Sequence, residues 1–412
     1  VSRLPRRLVE AGLAVMLVCM PVSISGTQVG LALAALGAAA EVALTRRLPR
    51  TPLDAPIGAL LAITLASAAL ADAPAESLRR FSGSWIILTF YLAAGWLGEP
   101  SRLQRFLRLL LPSALALGAI GIAQHYTGWN VFGSGGGGTL HSLAFGDRTV
   151  FFPRGGFSHY QTYANVFFLV FCLAVGLALG GGPAGRLPRL AAAGFLGVVV
   201  VYTFTRGIWL SLLGALAIFC WVFARRAALA AAAIGAAALL LVLLVPSSLR
   251  TRALSMGDAG ANVERLLLWE TTWNMVRDRP LLGFGIGAYR AAQDAYVREE
   301  IPMLMTRTHA HNIWLQAAVE RGVLGMLALA WLMAALAREA LAAVRRLPAG
   351  GAPHALAVAA LAGLSGFLID GLVQNNFGDS QATTVFWLVA AVAVACRRAA
   401  DQAAPLPAGA AA

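Results

Sequence analysis

Lysine is absent from this 412-residue sequence and acids are few: 32 Arg stand against 19 Asp and Glu, and charged residues make up only 12% of the chain. So little charge cannot clothe a soluble domain of this length in polar surface. The missing lysine also rules out a P-loop. The run Gly133-Ser134-Gly135-Gly136-Gly137-Gly138 shares only its glycine content with a phosphate cradle and reads as a flexible loop tip. Cysteine is confined to Cys19, Cys172, Cys220 and Cys396, all inside apolar stretches, where a thiol packs as a small hydrophobe and builds no disulfide framework. No carboxylate or Cys lies at ligand spacing from a His pair, and no two acids stand out as a glycosidase pair, so neither metal nor cofactor is expected.

What the chain has is apolar length. Hydrophobic residues make up 59% of it, with a mean hydropathy of +0.72, and stretches of the roughly 20 apolar residues that a bilayer core requires recur along nearly all of it. Turn and charge signals divide them into expected helices at 8–25, 27–44, 56–71, 84–98, 108–126, 162–180, 190–205, 207–223, 227–246, 313–337, 354–373 and 382–396. The expected fold is all-α, a polytopic membrane protein of about a dozen spans. If each stretch crosses once and the N-terminus is cytoplasmic, that side holds 18 Arg with six acids and the opposite side 14 Arg with 13 acids. This asymmetry is the positive-inside rule; it places both termini in the cytoplasm and removes nucleic acid as the reason for the net charge of +13. The first stretch follows Arg6-Arg7 without a small-residue cleavage site and reads as a retained helix rather than a signal peptide.

The organisation that follows is 1–246 with nine spans and a shorter external loop at 127–161, a long external loop at 247–310, three spans over 311–400, and a cytoplasmic tail from 401 to 412. Loops of more than about 15 residues in a compact protein are usually functional or disordered, and these two hold too many aromatic and periodic apolar residues for disorder. In the longer one, Asn262 is placed to cap a helix from Val263, with Leu266, Trp269, Trp273 and Val276 on one face and an end before Pro280. Gly283, Gly285 and Gly287 make a turn, and Tyr289 to Glu300 reads as a second short helix.

Three residues stand out for chemistry. His311, in Thr308-His309-Ala310-His311-Asn312, sits where the long loop enters the next span; it is either a general base near neutral pH or a helix-end histidine meeting headgroups. Arg206 interrupts the apolar stretch Val198 to Leu216, where an arginine facing lipid costs about 2.5–3.5 kcal/mol, and it either snorkels or serves a site at the outer surface. Arg265 taken alone reads as a solvated loop charge. Together, two guanidiniums and an imidazole on one face suit group transfer from a phosphate-linked donor: a guanidinium forks onto phosphate oxygens and stabilises a leaving diphosphate, while a neutral imidazole takes the proton of an attacking hydroxyl. A transporter of lipid or sugar is the rival from another class, although transporters gather polar residues at the midplane rather than at one surface.

Four segments give the chain a resemblance to the O-antigen ligases, within the larger group of polysaccharide ligases and polymerases. His311-Asn312, nine residues, then Gly322-Val323-Leu324-Gly325 is similar to the family's histidine motif. Arg265 to Trp269 with Arg279-Pro280-Leu281-Leu282-Gly283-Phe284-Gly285 resembles its Arg-x-x-x-Trp and Pro-Leu-x-Gly-x-Gly stretch. Thr205-Arg206-Gly207 looks like its intramembrane arginine motif. Gly155-Gly156-Phe157-Ser158-His159-Tyr160-Gln161-Thr162-Tyr163-Ala164 looks like the loop entering its sixth helix, with Tyr160-Gln161 where Pro-Asn is more usual. The resemblance implies a twelve-helix, GT-C-like, metal-independent inverting glycosyltransferase of the bacterial inner membrane. It would move O-antigen from undecaprenyl diphosphate to a sugar hydroxyl of lipid A-core at the periplasmic face. It makes His311 the base and Arg206 and Arg265 the diphosphate ligands, with Arg80, Arg154, His159, Asn312 and Trp269 as further substrate contacts. The turn Gln374-Asn375-Asn376-Phe377-Gly378-Asp379 is expected to shape the site. An O-antigen polymerase shares the donor. Protein-glycosylating relatives commonly carry a further C-terminal periplasmic region, which this sequence lacks, so that reading ranks lower.

Overall fold

A helix that is apolar on every side must be covered by lipid or by other helices, and the computed structural model of the chain shows which helices take which cover. It describes residues 4–46, 50–96, 100–130, 140–145, 148–223, 259–297 and 308–403; the expected helix at 227–246 and the glycine run 133–138 lie outside these residues. Every other expected span coincides with a helix: α1 (Leu4–Cys19), α2 (Ile24–Thr45), α3 (Asp54–Ala69), the short α4 (Pro74–Phe81), α5 (Leu88–Trp96), α6 (Pro100–Thr127), α7 (Tyr160–Gly180), α8 (Arg186–Val201), α9 (Arg206–Val222). The long segment expected as a loop contributes α10 (Ala259–Asp278) and α11 (Tyr289–Gln293), and the chain continues with α12 (Ile313–Arg346), α13 (Ala352–Gly371) and α14 (Ser380–Ala403). Among the described residues six helices are long and apolar enough to cross a membrane, namely α2, α6 from Arg102, α7, α12, α13 and α14, with α3 and α9 shorter but apolar.

α7, α13 and α14 form the centre. The most apolar part of α7 is 83% buried by protein, whereas that of α2 is only 28% buried and turns its remaining surface outward. Lipid tails are as apolar as leucine, so contact between spans depends on close van der Waals packing, which small residues permit. A Cβ at Gly30 of α2 would lie 2.4 Å from the backbone nitrogen of Met16 on α1, and one at Gly12 would lie 2.3 Å from that of Ala34. In the centre, Gly366 of α13 receives the ring of Phe168 from α7 in the same way.

The alternation of the helices gathers their ends into two polar faces. On one, Arg6 pairs with Glu41 (3.1 Å), Arg398 donates to the carbonyl of Arg50 (2.8 Å), and Arg346 and Arg397 share Asp401. The other joins the ends of α6 and α8 through Tyr126 and Tyr202 (2.8 Å), α7 and α13 through Asn165 and Asp370 (3.0 Å), and α3 and α12 through Ser67 and the carbonyl of Glu320 (2.6 Å). Arg206 and His311 lie on this second face, at the starts of α9 and α12.

Four local features differ from expectation. The segment before α5 is a 3-10 turn (Ser82–Ile87) rather than α-helix. The loop between α6 and α7 holds an antiparallel hairpin of β1 (Ser142–Phe145) and β2 (Arg148–Phe151), with Leu143 opposite Val150, so the fold is not strictly all-α. α10 starts at Ala259, which puts Asn262 inside the helix and not at its cap; its buried side is Leu268, Thr272, Met275 and Val276, while Leu266 and Trp273 point outward. Apolar residues cover more than one face of α10, so periodicity alone does not select the side that meets protein. α11 is one turn long rather than reaching Glu300, and residues 298–300 lie outside the described residues.

Candidate active site

The segment before α12 is fixed to that helix by a break in it. Gly322 has φ 68° and ψ −176°, a backbone that L side chains rarely adopt, and a Cβ there would sit 2.0 Å from the carbonyl oxygen of Leu281. The main-chain groups freed by the break pair with the turn after α10. Phe284 N–H donates to the carbonyl of Val319 (2.9 Å), Gly285 N–H to that of Glu320 (3.0 Å), and Val323 N–H to that of Pro280 (2.7 Å). Glu320 is buried, and its carboxylate accepts from Gly287 N–H (2.9 Å) and pairs with Arg321 (3.3 Å). The Pro-Leu-x-Gly-x-Gly stretch and the Gly-Val-Leu-Gly stretch are therefore two halves of one joint, and its consequence is a fixed position for α10.

From α10, Trp269 donates its indole N–H to the carbonyl of Ala310 (3.1 Å), and Ala310 N–H donates to Gln316 Oε1 (2.8 Å), so the residue before His311 is held from both sides. His311 has φ +49°, a sparsely populated conformation for a side chain of this kind. Its Nδ1 lies 2.8 Å from Gln374 Oε1, in the turn between α13 and α14. Because a side-chain carbonyl only accepts, this bond places the proton on Nδ1 and makes Nε2 the proton-accepting nitrogen. The ring of His309 packs against that of His311 with centroids 4.2 Å apart. Asn312 is the N-cap of α12: its Oδ1 accepts from Trp314 N–H (2.8 Å) and Leu315 N–H (3.1 Å), and its Nδ2 donates to the carbonyl of Leu372 (3.0 Å). The polar atoms of Asn312 are thus engaged within the protein.

Arg265 lies one helical turn before Trp269 on the same side of α10. It is within electrostatic reach of Arg206, Asp370 and Tyr160; burial, and next to it the positive charge of Arg206, lower its pKa from the ordinary arginine value. Asp370 ends α13 without any exposure. Its Oδ2 accepts from Asn165 Nδ2 (3.0 Å), and its Oδ1 has no hydrogen-bond partner. A Cβ on Gly207 would come within 2.2 Å of that Oδ1, so the glycine after Arg206 is what lets the start of α9 close over the carboxylate. The turn that presents Arg206 is held by aromatic packing: Phe204, at φ +55° and fully buried, stacks on His125 with centroids 4.7 Å apart, and Trp209 donates to the carbonyl of Val201 (2.9 Å).

The remaining candidates belong to other contacts. His159 caps α7, its Nδ1 accepting from Gln161 N–H (3.2 Å); burial first and the neighbouring His141 second lower its pKa, which favours the neutral ring that this cap requires. Thr162, one turn into α7, donates to Asp379 (2.6 Å), tying α7 to the start of α14. Arg80 pairs with Glu76 (3.0 Å), and its side chain crosses Gly287. The backbone of Arg154 donates to Gln124 Oε1 (3.1 Å) and its guanidinium to the carbonyl of Ser158 (3.4 Å). Arg206, Arg265, Tyr160 and Asp370 are brought together, and His311 joins them through Trp269 on one side and the Gln374 turn on the other; Arg80 and Arg154 serve the joint and the short loop. Asp370 was not among the residues that the sequence singled out. Among the described residues no group of three or more His, Cys, Asp or Glu could hold a metal ion.

No curated protein matches the chain. Residues 191–330 match the model of the family described as O-antigen ligase, a span that runs from α8 into α12 and includes Arg206, Arg265, Trp269, His311 and Gly322. The matched span is about a third of the chain.

Proposed function

We propose that this protein is an O-antigen ligase that transfers O-antigen polysaccharide from undecaprenyl diphosphate to a sugar hydroxyl of lipid A-core, at the periplasmic face of the bacterial inner membrane. The observation that carries the reading is the approach of Arg206 and Arg265, two like charges of which the second is half-buried, beside a histidine whose tautomer leaves Nε2 to accept a proton. Two guanidiniums held against their own repulsion are stabilised by an anion that both can fork, and a diphosphate is such an anion. In this reading the membrane presents the donor lipid at the face holding the starts of α9 and α12. His311 Nε2 removes the proton from the acceptor hydroxyl as that oxygen attacks the anomeric carbon from the side opposite the diphosphate. The bond to the diphosphate breaks as the new one forms, the configuration inverts, and Arg206 and Arg265 stabilise the departing charge. The guanidiniums supply the charge stabilisation for which other transferases use a metal, so the step is written without one. The arginine-rich opposite face supports a cytoplasmic placement of both termini, and about twelve crossings in a GT-C-like arrangement belong to the same proposal.

A polymerase would share this donor chemistry. The lipopolysaccharide and lipid-linked intermediates of a deletion strain separate the two readings. Long O-antigen that still accumulates on undecaprenyl diphosphate but is missing from lipid A-core is the expected result; loss of long chains altogether assigns the protein as a polymerase instead.

A further inference from the structure

A cavity of about 1500 Å³ opens at the arginine-rich face, far from His311, between α1, α2, α3, α5 and α6. Its outer rim is charged and carries Arg6, Glu41, Arg50, Asp54 and Arg102. Its inner wall is apolar: Ala32, Ala35, Leu36 and Ala39 on α2 face Trp85 in the 3-10 turn and Leu88 at the start of α5. From Ala32 to Thr45, both of which line it, α2 rises about 20 Å at 1.5 Å per residue, a little more than half of a hydrocarbon core of about 30 Å. The cavity is therefore as deep as one leaflet, with charge at its mouth and hydrocarbon surface below.

Among the described residues that line it, the rim has more guanidinium than carboxylate: Glu41 pairs with Arg6 (3.1 Å), and Asp54 accepts from the hydroxyl (2.5 Å) and backbone N–H (3.0 Å) of Thr51 and lies within electrostatic reach of Arg50. Arg102 is held over the face of Trp96, 5.7 Å from the ring centroid. Arg398 adds a further positive charge beside the mouth, donating to the carbonyls of Arg50 and Ala94 (both 2.8 Å). Basic pockets between spans at the headgroup level select anionic lipid headgroups, and an arginine fork suits a phosphodiester better than a point charge does.

We infer that this cavity is a binding site for an anionic diacyl phospholipid of the leaflet on the arginine-rich face, its phosphate at Arg50 and Arg102 and its acyl chains along the α2 and α5 walls. The occupant would tie the outward-turned hairpin of α1 and α2 to α3, α5 and α6. The site shares no residue with the proposed transferase centre, and the test reads lipid binding without requiring transfer.

The full-length protein, purified in neutral detergent, is titrated with dioleoylphosphatidylglycerol or dioleoylphosphatidylcholine while its melting temperature and bound lipid are followed. A ligand that binds only the folded state raises the melting temperature in proportion to its occupancy. The expected result is a saturable rise with phosphatidylglycerol, weaker affinity for phosphatidylcholine, and about a tenfold loss of phosphatidylglycerol affinity in the Arg50→Gln/Arg102→Gln double variant. Ala35→Trp fills the apolar wall and is expected to remove the shift; if that variant does not fold, the rim double variant decides alone. Equal response to the two lipids, or an undiminished phosphatidylglycerol response in the rim variant, overturns the inference.

Discussion

The hairpin of α1 and α2 and the junction around His311 are built on opposite principles. The hairpin is joined by small residues: Gly12 and Gly30 bring backbone to backbone, and the side-chain bond from Arg6 to Glu41 (3.1 Å) is an exposed contact at one end. At the junction the main chain leaves helical geometry at His311 and Gly322, and directed bonds from Trp269, Gln316, Asn312 and Gln374 hold what the helix no longer holds. Packing of the first kind supplies position along a whole helix but no charge. Bonding of the second kind fixes single polar atoms to within a fraction of an ångström, at the cost of strained backbone. Substitutions should therefore separate cleanly, costing activity at the junction and stability in the hairpin.

The largest effect is expected from His311→Ala. Loss of a general base costs about 10²–10⁴ in rate, so O-antigen should disappear from lipid A-core while the protein's amount in the membrane is unchanged; ordinary ligation in that variant removes the base from the mechanism. Arg206→Lys and Arg265→Lys keep charge but lose the fork, and transfer should fall by about 10- to 100-fold in each. Undiminished transfer counts against bidentate diphosphate binding. Asp370→Asn preserves the shape beside Gly207 and removes the buried charge near Arg265. We expect kcat to fall about tenfold with no rise in the donor KM, since the fully buried carboxylate acts on Arg265 through its charge and touches no substrate. A raised KM with kcat intact assigns Asp370 to donor binding.

Arg206 stood out in the sequence because it interrupts an apolar stretch and His311 because it stands where a loop enters a span, whereas Arg265 taken alone reads as a solvated loop charge and gains meaning only beside the other two. Asp370 was not legible, because an acid at a helix end looks like an ordinary terminal charge until Gly207, from a different helix, is seen to close over it. The two glycine-bearing stretches at Pro280–Gly285 and Gly322–Gly325 were visible separately, but their pairing depends on a helix break that no local propensity announces. The long apolar helices were legible because membrane thickness sets their length, and among the described residues six are long and apolar enough to cross a membrane. The hairpin was missed although Gly146-Asp147 between alternating residues is a hairpin signal, since the surrounding glycine and aromatic residues drew the reading toward an irregular loop. Asn262 failed as a cap because α10 gains its first turn before it, and Asn312, read as a substrate contact, gives Oδ1 to the cap of α12 and Nδ2 to the carbonyl of Leu372.

In the hairpin, Gly30→Leu tests the other side of the comparison. The Cβ alone would meet the backbone nitrogen of Met16 at 2.4 Å, and backbone cannot yield as a flexible side chain can. Overpacking of this kind costs about 1–3 kcal/mol. A lower melting temperature in detergent is expected, with transfer per folded molecule unchanged. A variant that melts normally but transfers poorly would join the hairpin to the active site and break the distinction drawn above.

The smallest effect is expected from Trp269→Phe, and it is the most discriminating. Phenylalanine keeps most of the ring that packs beside Ala310 but removes the indole N–H that donates to its carbonyl at 3.1 Å. One such bond contributes about 0.5–1.5 kcal/mol, so transfer should fall by a few-fold, roughly 2- to 10-fold, with the melting temperature nearly unchanged. The deficit should appear in kcat, because the bond positions the residue next to the base and touches neither substrate. In a His311→Ala background the same substitution should then cost almost nothing, since misplacing a base that is absent has no consequence. A full additional loss there would mean that Trp269 acts on the donor through Arg265, one turn away, rather than on the base.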